Sequence, residues 1–315
     1  MTTGGTRDHG GGIDAAAARF GGTRADWLDL STGINPVPYP VPALPPDTWT
    51  TLPDAAAARA LTDAARTAWA VPDGAGLLAA PGASALIARI PALAAAGRVT
   101  IPGPTYNEHA AAFAAQGWTV QPTGTGDATV VVHPNNPDGR FWTADALPAA
   151  RLTVIDESFC DVMPGASLVA MADRPGTIVL KSFGKFWGLA GLRLGFAIGD
   201  PALLARLAET LGPWPVSGPA LAIGTAALRD AGWAAATRAR LVTDAARLDG
   251  IMSSAGAQVL GGTALFRLYD TDDAARWQAR LAARRIWSRV FPYSTRWLRL
   301  GLPGPGDWAR LDGLA

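Results

Sequence analysis

Short apolar runs alternate with helical patterns through the middle of the chain. The helical patterns are clearest at residues 84–96 and 106–116. Strand-like runs lie at residues 77–80, 99–101, 118–121, 129–133, 153–156, 177–181 and 194–198. Such alternation is typical of an α/β domain whose central sheet is mostly parallel. We therefore predict an α/β fold with a mostly parallel seven-stranded sheet in the large domain.

The pattern changes on both sides of this region. A helical pattern at 13–20 and a proline-rich stretch at 31–46 precede it, and a helix is predicted from Pro53 to about residue 70. The segment G-P-W-P-V-S-G-P at 212–219 interrupts the alternation. A long helical segment to about residue 254 follows.

After that segment the chain returns to strands. Strand-like runs at 258–260, 265–269, 286–291 and 297–302 surround one more helical pattern, at 276–284. We expect an N-terminal arm at 1–50, a large α/β domain at 51–214 and a smaller α+β domain at 215–315.

Composition excludes several classes of partner. The 315 residues are 49% hydrophobic and 17% charged, with a net charge of +1, so electrostatics give no reason to expect nucleic acid or an acidic membrane surface. No apolar run approaches the roughly 18 residues of a membrane span. The N-terminus has no basic start followed by an apolar segment. We expect a cytoplasmic protein without a signal peptide.

Cysteine and histidine usage bears on metals and redox chemistry. Cys160 is the single cysteine, which excludes an intramolecular disulfide, and His9, His109 and His133 lack the spacing of metal ligands. We expect a reducing setting and no metal site.

Polar residues follow four of the predicted strands, where ligands bind in open α/β sheets. Ser84 lies in the turn P-G-A-S, Tyr106 in P-G-P-T-Y, Asn136 in H-P-N-N-P-D-G and Asp156 in D-E-S-F-C-D. Taken singly, most of these are also ordinary turn or partly buried residues. An acid that ends an apolar strand is costly unless a positive group meets it.

The stretch K-S-F-G-K-F-W-G-L-A-G-L-R-L-G at 181–195 carries amines, a hydroxyl and a guanidinium. Lys185 lies among apolar side chains, which disfavour its charged form, and a neutral amine can bond covalently to an aldehyde. Ser182 and Arg193 suit a phosphate. The alternative is a glycine-rich surface turn with two solvated lysines, Lys181 and Lys185, and a salt-bridged arginine.

Together these groups match pyridoxal phosphate, which needs an acid for its ring nitrogen and an amine for its aldehyde. The motifs H-P-N-N-P-D-G, V-I-D-E-S-F and S-F-G-K-F-W-G-L-A-G-L-R-L-G resemble the fold type I, aminotransferase-like pyridoxal phosphate enzymes over essentially the whole chain. R-D-H-G-G-G-I-D followed by L-D-L-S-T-G-I-N-P resembles their cobalamin-biosynthesis branch.

The resemblance implies roles for the strand-end residues. Lys185 would bond to the cofactor aldehyde and later move protons, Asp156 would pair with the ring nitrogen, Asn136 would bind the ring hydroxyl and Tyr106 would stack on the ring. The residues implied for the cofactor phosphate are Ala83, Ser84, Ser182 and Arg193.

The resemblance also implies a substrate site. Arg299 in W-L-R-L-G matches a carboxylate-binding arginine, and His9 and Asn35 match an N-terminal region that closes over the substrate. Arg289 and Arg296 are candidate ligands of a substrate phosphate. Relatives are homodimers with sites at the subunit interface, so we expect a homodimer.

Three positions depart from the family pattern. Phe159 and Leu52 stand where many relatives have tyrosines, which donate to the ring hydroxyl and reach the neighbouring subunit's phosphate, respectively. His133 replaces the usual first asparagine of its motif. None of these replacements removes a group that the chemistry requires.

The expected activity is decarboxylation of L-threonine O-3-phosphate to (R)-1-aminopropan-2-ol phosphate, a component of the cobalamin side chain. An aminotransferase of the histidinol-phosphate type would use the same lysine, aspartate and arginines, and differs in which bond of the substrate α-carbon breaks. A non-catalytic protein that binds the cofactor or a partner enzyme is the second alternative.

Overall fold

The computed structural model describes residues 9–314. Its helices are α1 (Ile13–Phe20), α2 (Asp47–Thr50), α3 (Ala55–Trp69), α4 (Ala83–Ile87), α5 (Asn107–Ala115), α6 (Pro201–Leu211), α7 (Gly218–Arg229), α8 (Ala231–Ser254) and α9 (Ala274–Ala283). Its strands are β1 (Leu28–Asp29), β2 (Gly76–Ala80), β3 (Arg98–Thr100), β4 (Thr119–Gln121), β5 (Ala128–Val132), β6 (Leu152–Asp156), β7 (Thr177–Ser182), β8 (Gly195–Gly199), β9 (Gln258–Thr263), β10 (Phe266–Asp270), β11 (Ile286–Trp287), β12 (Arg289–Phe291) and β13 (Ser294–Gly301).

The described chain divides into two compact units. One comprises residues 9–37 and 239–314, and the other comprises residues 38–238. The boundary near residue 238 falls inside α8. The functional domain limits expected at 50/51 and 214/215 stay a prediction. Among the described residues, none of the helices has both the length and the apolar character needed to cross a bilayer.

The unit of residues 38–238 is built on a seven-stranded sheet of order β2-β8-β7-β6-β5-β3-β4. β8 runs antiparallel to its neighbours β2 and β7, and the other neighbouring pairs are parallel. The predicted α/β fold with a mostly parallel seven-stranded sheet is confirmed. β5 and β6 are buried along their whole length, which explains why they appear in the sequence as continuous apolar runs.

The register of this sheet aligns the strand ends that carry polar residues. Asp156 at the end of β6 pairs with Leu180 on β7 and with Val132 on β5. On the other side, Ser182 at the end of β7 pairs with Gly195, where β8 begins. The residues after β5, β6 and β7 and before β8 therefore meet at one edge of the sheet.

Helix ends follow local chemistry where the sequence carries a cap. Asp54 accepts hydrogen bonds from the N–H groups of Ala56 and Ala57, each at 3.0 Å, so the helix predicted after Pro53 begins as expected. The helix predicted at 84–96 is wrong, because α4 ends at Ile87 and a 3₁₀ turn at Ile90–Leu93 follows it. Pro91 lacks an N–H and disfavours helical geometry before it.

The long helical segment expected after the proline-rich boundary consists of two helices. Asp230 separates α7 from α8, and its Oδ1 accepts a hydrogen bond from the N–H of Trp233 at 2.9 Å. A new helix therefore begins at this aspartate. Sequence reasoning also missed α6, which Asp200 caps through the N–H of Ala202.

The unit of residues 9–37 and 239–314 contains a four-stranded sheet of order β12-β13-β10-β9, antiparallel throughout. A separate parallel pair joins β1 to β11. The single strand predicted at 286–291 is therefore wrong, since β11 and β12 belong to different sheets. The smaller α+β region expected towards the C-terminus is confirmed as a sheet with packed helices.

Candidate active site

Asp156 lies at the buried end of β6 and is surrounded by hydrogen-bond donors. Its Oδ2 lies 2.8 Å from Nε2 of His109, and its Oδ1 accepts from the N–H of Ser158 at 3.0 Å and from its hydroxyl at 2.5 Å. An ionised carboxylate only accepts hydrogen bonds, so Nε2 of His109 carries the hydrogen. The hydrogen-bond donor that this buried acid requires is thus supplied by a histidine distant in sequence.

The partners of Asp156 keep it ionised. Burial alone would raise the pKa of this carboxyl, but the hydrogen bond and charge of His109 and the hydrogen bonds of Ser158 outweigh burial, so the pKa lies below its ordinary value. A carboxylate offers about four lone-pair positions, and these contacts use three. One position on Oδ2 remains for a donor from a ligand.

His109 is the residue of this site that sequence reasoning missed, because it was considered only as a possible metal ligand. It lies on α5, one helical turn after Tyr106, and the two rings meet edge to face with centroids 6.1 Å apart. The spacing of three residues at a predicted helix start was the available signal, since such residues share one face.

Lys185 lies near the loop that follows β6. Its Nζ is 5.4 Å from the ring centroid of Phe159, a buried residue three positions after Asp156. The structure therefore brings the amine and the acid-bearing strand end into one neighbourhood. The alternative of two solvated lysines is wrong for Lys181, which is buried.

Arg193 borders a space that exists because Gly82 has no side chain. Gly82, with φ of +86°, precedes α4, and a Cβ there would lie 2.7 Å from Nη2 of Arg193. A Cβ on Gly195 would lie 2.4 Å from the backbone nitrogen of Ala83. Both glycines therefore allow a close approach of backbone N–H groups and a guanidinium, which is the donor chemistry a phosphate needs. The site fits a phosphorylated cofactor.

Together with Arg193, Ser182 and the start of α4 make up the candidate phosphate site. The hydroxyl of Ser182 accepts a hydrogen bond from the N–H of Gly184 at 3.3 Å, so its own hydrogen remains available to a ligand. Ala83 and Ser84 form the first turn of α4. Because α4 has only five residues, its N–H groups rather than a helix dipole would hold an anion.

The two asparagines after β5 have different environments. Asn135 is buried, accepts from the hydroxyl of Thr105 at 2.6 Å and donates to the carbonyl of Pro104 at 3.0 Å and to the carboxylate of Asp138 at 2.8 Å. It therefore ties this loop to the loop after β3. Asn136 is half-buried, and its role as a ligand of the cofactor stays a prediction.

The substrate candidates all lie in the unit of residues 9–37 and 239–314. Arg299 on β13 is buried, donates from Nη2 to the carbonyl of Ser31 at 2.5 Å and lies over the ring of Phe266. Oδ1 of Asn35 accepts from Nη2 of Arg240 at 2.6 Å, which fixes the orientation of its amide. His9 is exposed.

The remaining two arginines have different surroundings. Arg296 forms a bidentate pair with Asp270, with Nε to Oδ1 at 2.8 Å and Nη2 to Oδ2 at 2.6 Å. Arg289 lies on β12 with its guanidinium 5.5 Å from the ring centroid of Phe291. A phosphate would have to compete with Asp270 for Arg296.

Folding brings together one group of metal-ligand types that sequence spacing does not reveal. One ligand atom each from His133, Glu157 and Cys160 lie within 4.8 Å of one another. His133 and Glu157 already have other partners: Nε2 of His133 lies 2.7 Å from the carbonyl of Ala166, and Glu157 pairs with Lys181. Burial, and then the charge of Glu157, raise the pKa of the Cys160 thiol. We assign no metal to this group.

Comparison with known proteins identifies relatives along most of the chain. The family model described as aminotransferase class I and II matches residues 49–308. A threonine-phosphate decarboxylase from Sinorhizobium sp. is 44% identical, with 98% of this chain and 97% of the relative covered. A threonine-phosphate decarboxylase from Pseudomonas aeruginosa is 41% identical, with 97% and 96% covered.

Solved structures show the same fold. The histidinol-phosphate aminotransferase from Sinorhizobium meliloti, in complex with pyridoxal-5'-phosphate, superposes with a TM-score of 0.79. The match covers 96% of this chain and 92% of that one, at 18% sequence identity. At this identity the likeness extends to the fold alone.

Proposed function

Because the chain belongs to the class I and II aminotransferase family, we propose that it decarboxylates L-threonine O-3-phosphate to (R)-1-aminopropan-2-ol phosphate for the cobalamin side chain. The observation that carries this proposal is the identity of 44% and 41% to two threonine-phosphate decarboxylases over nearly the whole chain. The arrangement of Asp156, His109, Lys185 and Arg193 at one edge of the sheet supports it chemically.

The cofactor of the proposed reaction is pyridoxal phosphate. When bound, it supplies an electron-accepting ring for the electron pair that the departing carboxylate leaves on the α-carbon. Asp156 would hold the ring nitrogen through the remaining position on Oδ2, Asn136 would bind the ring hydroxyl and Tyr106 would stack on the ring. The phosphate would lie against Ala83, Ser84, Ser182 and Arg193.

Each of these side chains has a physical reason for its role. Asp156 has a lowered pKa, so it would present a negative charge that keeps a bound ring nitrogen protonated. Lys185 would carry the cofactor and then deliver a proton to the substrate α-carbon from its Nζ. Arg193 would neutralise phosphate charge beside the space at Gly82.

Substrate recognition is assigned to the unit of residues 9–37 and 239–314. Arg299, a buried guanidinium, would bind the carboxylate end of the substrate, and Asn35 and His9 would close over it. Arg289 and Arg296 are the proposed ligands of the substrate phosphate, with Arg296 exchanging its contact with Asp270 for the phosphate. A phosphorylated amino acid is the small-molecule partner.

Product analysis tests the proposed activity. The purified protein, reconstituted with pyridoxal phosphate, is incubated with L-threonine O-3-phosphate, and carbon dioxide and the phosphorylated amine are both measured. We expect equal amounts of the two products, and none with Lys185→Ala. Amino transfer that depends on 2-oxoglutarate, with no carbon dioxide, would instead establish an aminotransferase. A full biological role retained by Lys185→Ala would establish a non-catalytic protein.

A homodimer is part of the proposal. Large apolar side chains are exposed at residues 41–52, which include α2, and at residue 214, which precedes α7, and α2 packs on α7. Trp49 is 69% exposed, Leu52 66%, and Val41 and Trp214 57% each. Exposed apolar groups of this size are typical of surfaces that a partner covers. We assign them to a second copy of the chain, with the protein located in the cytoplasm.

A further inference from the structure

Lys181 is a buried lysine that the proposed chemistry does not use. Its side chain is 2% exposed, and its Nζ lies 2.6 Å from Oε2 of Glu157 and 3.4 Å from Oδ1 of Asp161. Burial alone disfavours the ammonium, but the two carboxylates outweigh burial and raise the pKa of Lys181. The lysine therefore stays charged and anchored to the loop that follows β6.

Asp161 is the centre of this group of buried side chains. Besides Lys181, its Oδ1 accepts a hydrogen bond from Nε1 of Trp69 at 3.1 Å, and its Oδ2 accepts one from Nε1 of Trp187 at 3.0 Å. Its backbone carbonyl accepts from Nε of Arg238 at 2.7 Å. The positive charges of Lys181 and Arg238 thus balance the two buried carboxylates.

Two of these donors are the residues on either side of the segment 182–186. Lys181 precedes Ser182, the hydroxyl assigned to the cofactor phosphate, and Trp187 follows Lys185 by two positions. One carboxylate therefore binds both ends of the short loop that carries the anion-binding hydroxyl and the reactive amine. A carboxylate suits this position because its two oxygens accept from several donors at once.

Aromatic packing holds the Trp187 end of the loop. Its ring stacks between Phe183, with centroids 5.2 Å apart and planes at 13°, and Trp233, at 5.4 Å and 15°. Tyr39 donates its backbone N–H to the carbonyl of Trp187 at 2.9 Å. Stacking alone allows the Trp187 ring to turn within its own plane. The hydrogen bond from its indole N–H to Asp161 fixes that rotation.

We propose that Asp161 is a positioning residue: by binding Lys181 and Trp187 together, its carboxylate fixes the loop at the spacing of Ser182 and Lys185 that a phosphorylated aldehyde requires. This inference rests on the proposed function for the identity of the ligand. We call the contacts of the Asp161 carboxylate with Lys181 and Trp187 the clamp. All of these contacts lie within residues 38–238.

The chain offers a matched pair of substitutions that tests the proposal. Trp187→Phe and Trp69→Phe each remove one indole N–H bonded to Asp161 and the same volume from a buried ring, but only Trp187 borders the loop. Asp161→Asn is the third variant, since an amide keeps the shape but offers a single acceptor oxygen.

Hydrogen exchange in the protein without cofactor is the first measurement. The N–H groups of Phe183, Gly184, Gly188 and Leu189 are hydrogen-bonded within or beside the loop and report its opening. We expect exchange of peptides covering 182–189 to be at least roughly tenfold faster in Trp187→Phe and Asp161→Asn than in Trp69→Phe, with peptides of β5 unchanged.

The second measurement uses the protein reconstituted with pyridoxal phosphate. Trp187→Phe and Asp161→Asn should shift the pH midpoint of the long-wavelength absorbance band and release the cofactor roughly tenfold faster, whereas Trp69→Phe should match the wild type. If the wild type forms no band, the proposed function fails while hydrogen exchange still decides on the clamp. Equal loop exchange in Trp187→Phe and Trp69→Phe, or wild-type exchange in Asp161→Asn, overturns the positioning role.

Discussion

Nε2 of His109 lies 2.8 Å from Oδ2 of Asp156, and the two side chains are 2% and 3% exposed. The two residues are 47 positions apart in sequence, on α5 and at the end of β6. Burial alone would favour the neutral carboxyl, and the contacts with His109 are the largest of the effects that instead lower the pKa of Asp156.

Replacing His109 tests this effect. In His109→Phe the hydrogen bond and charge are lost while burial remains, so the pKa of Asp156 should rise. A hydrogen bond to a charged group contributes about 1.5–3 kcal/mol, which predicts a cofactor dissociation constant roughly tenfold to hundredfold higher. The loss should grow as pH falls, since the carboxyl becomes protonated. Absorbance titration with pyridoxal phosphate at several pH values measures it.

The control for His109→Phe is His133→Gln. His133 is equally buried and hydrogen-bonded through both ring nitrogens, but its ring does not bind the carboxylate of Asp156. We expect this variant to lose stability without a pH-dependent loss of cofactor affinity. An unchanged dissociation constant in His109→Phe would show that Ser158 suffices to keep Asp156 charged.

Gly82→Ala should displace Arg193 and so weaken the candidate phosphate site. The added Cβ would lie 2.7 Å from Nη2 of Arg193, and φ of +86° with ψ of 154° is a conformation that side chains avoid. We expect a loss of about 1–3 kcal/mol in the free energy of unfolding and a marked loss of affinity for the cofactor. Urea unfolding and cofactor titration give the two quantities.

Gly165→Ala is the matched control, because a Cβ there meets nothing within 4 Å and its φ is not positive. It should leave both quantities close to the wild-type values. If Gly82→Ala binds the cofactor as the wild type does, Arg193 does not border the phosphate in the way assigned here.

Asp200 provides a pH-dependent contribution to stability. The hydrogen bond from the N–H of Gly176 lowers its pKa, with burial opposing and the N–H of Ala202 adding to it. A lowered folded-state pKa means that the contribution is present above the unfolded value of about 3.9 and is lost as pH falls through the folded value. Asp200→Ala should therefore cost about 0.5–2 kcal/mol at pH 7 and less at pH 3.

Urea unfolding at the two pH values measures the Asp200 effect. Asp200→Asn is the control, since it retains an acceptor oxygen for the start of α6 but does not titrate. Its cost should be smaller than that of Asp200→Ala at pH 7 and should fall by about the same amount at pH 3, because the titrating group that is lost is the same in both variants. A cost of Asp200→Ala that does not change with pH would contradict the assignment of the cap to the ionised carboxylate.

Arg299 and Arg296 should differ in their effects on substrate binding. A lysine keeps the charge but loses the planar fork, so Arg299→Lys should raise the KM for L-threonine O-3-phosphate by roughly tenfold or more. Arg296 is more than half exposed and already paired with Asp270, and Arg296→Lys should change KM only a few-fold. Steady-state kinetics at fixed cofactor concentration separate the two. Equal effects would contradict the assignment of the substrate carboxylate to Arg299.

Charged substitutions test the proposed homodimer. Trp49→Asp combined with Leu52→Asp places two carboxylates on a surface assigned to a second copy, so the sedimentation coefficient should fall to that of a monomer. Val242→Asp, on an exposed apolar position of α8, is the control and should leave the coefficient unchanged. A wild-type protein that sediments as a monomer at micromolar concentration would rule out the assignment.

Much of the fold followed from local pattern. Among the strands of the large sheet, β5 and β6 were the clearest to predict, because strands buried on both faces appear as continuous apolar runs. The start of α3 was predictable because Asp54 caps it. The errors lie where one residue overrides a longer pattern. Pro91 stops the helix expected at 84–96. Asp230 divides the helical segment that follows residues 212–219 into α7 and α8.

The sequence by itself determined which groups stand at the strand ends, because a motif fixes residue types and spacing along one segment. It identified Lys185, Asp156 and Arg193 and the family they resemble. Only the tertiary structure decided what surrounds them: His109 beside Asp156, Arg193 at Gly82, and Asp161 between Lys181 and Trp187. These contacts join segments far apart in the chain, and their energies depend on burial and on the direction of each donor, which strand register and packing set.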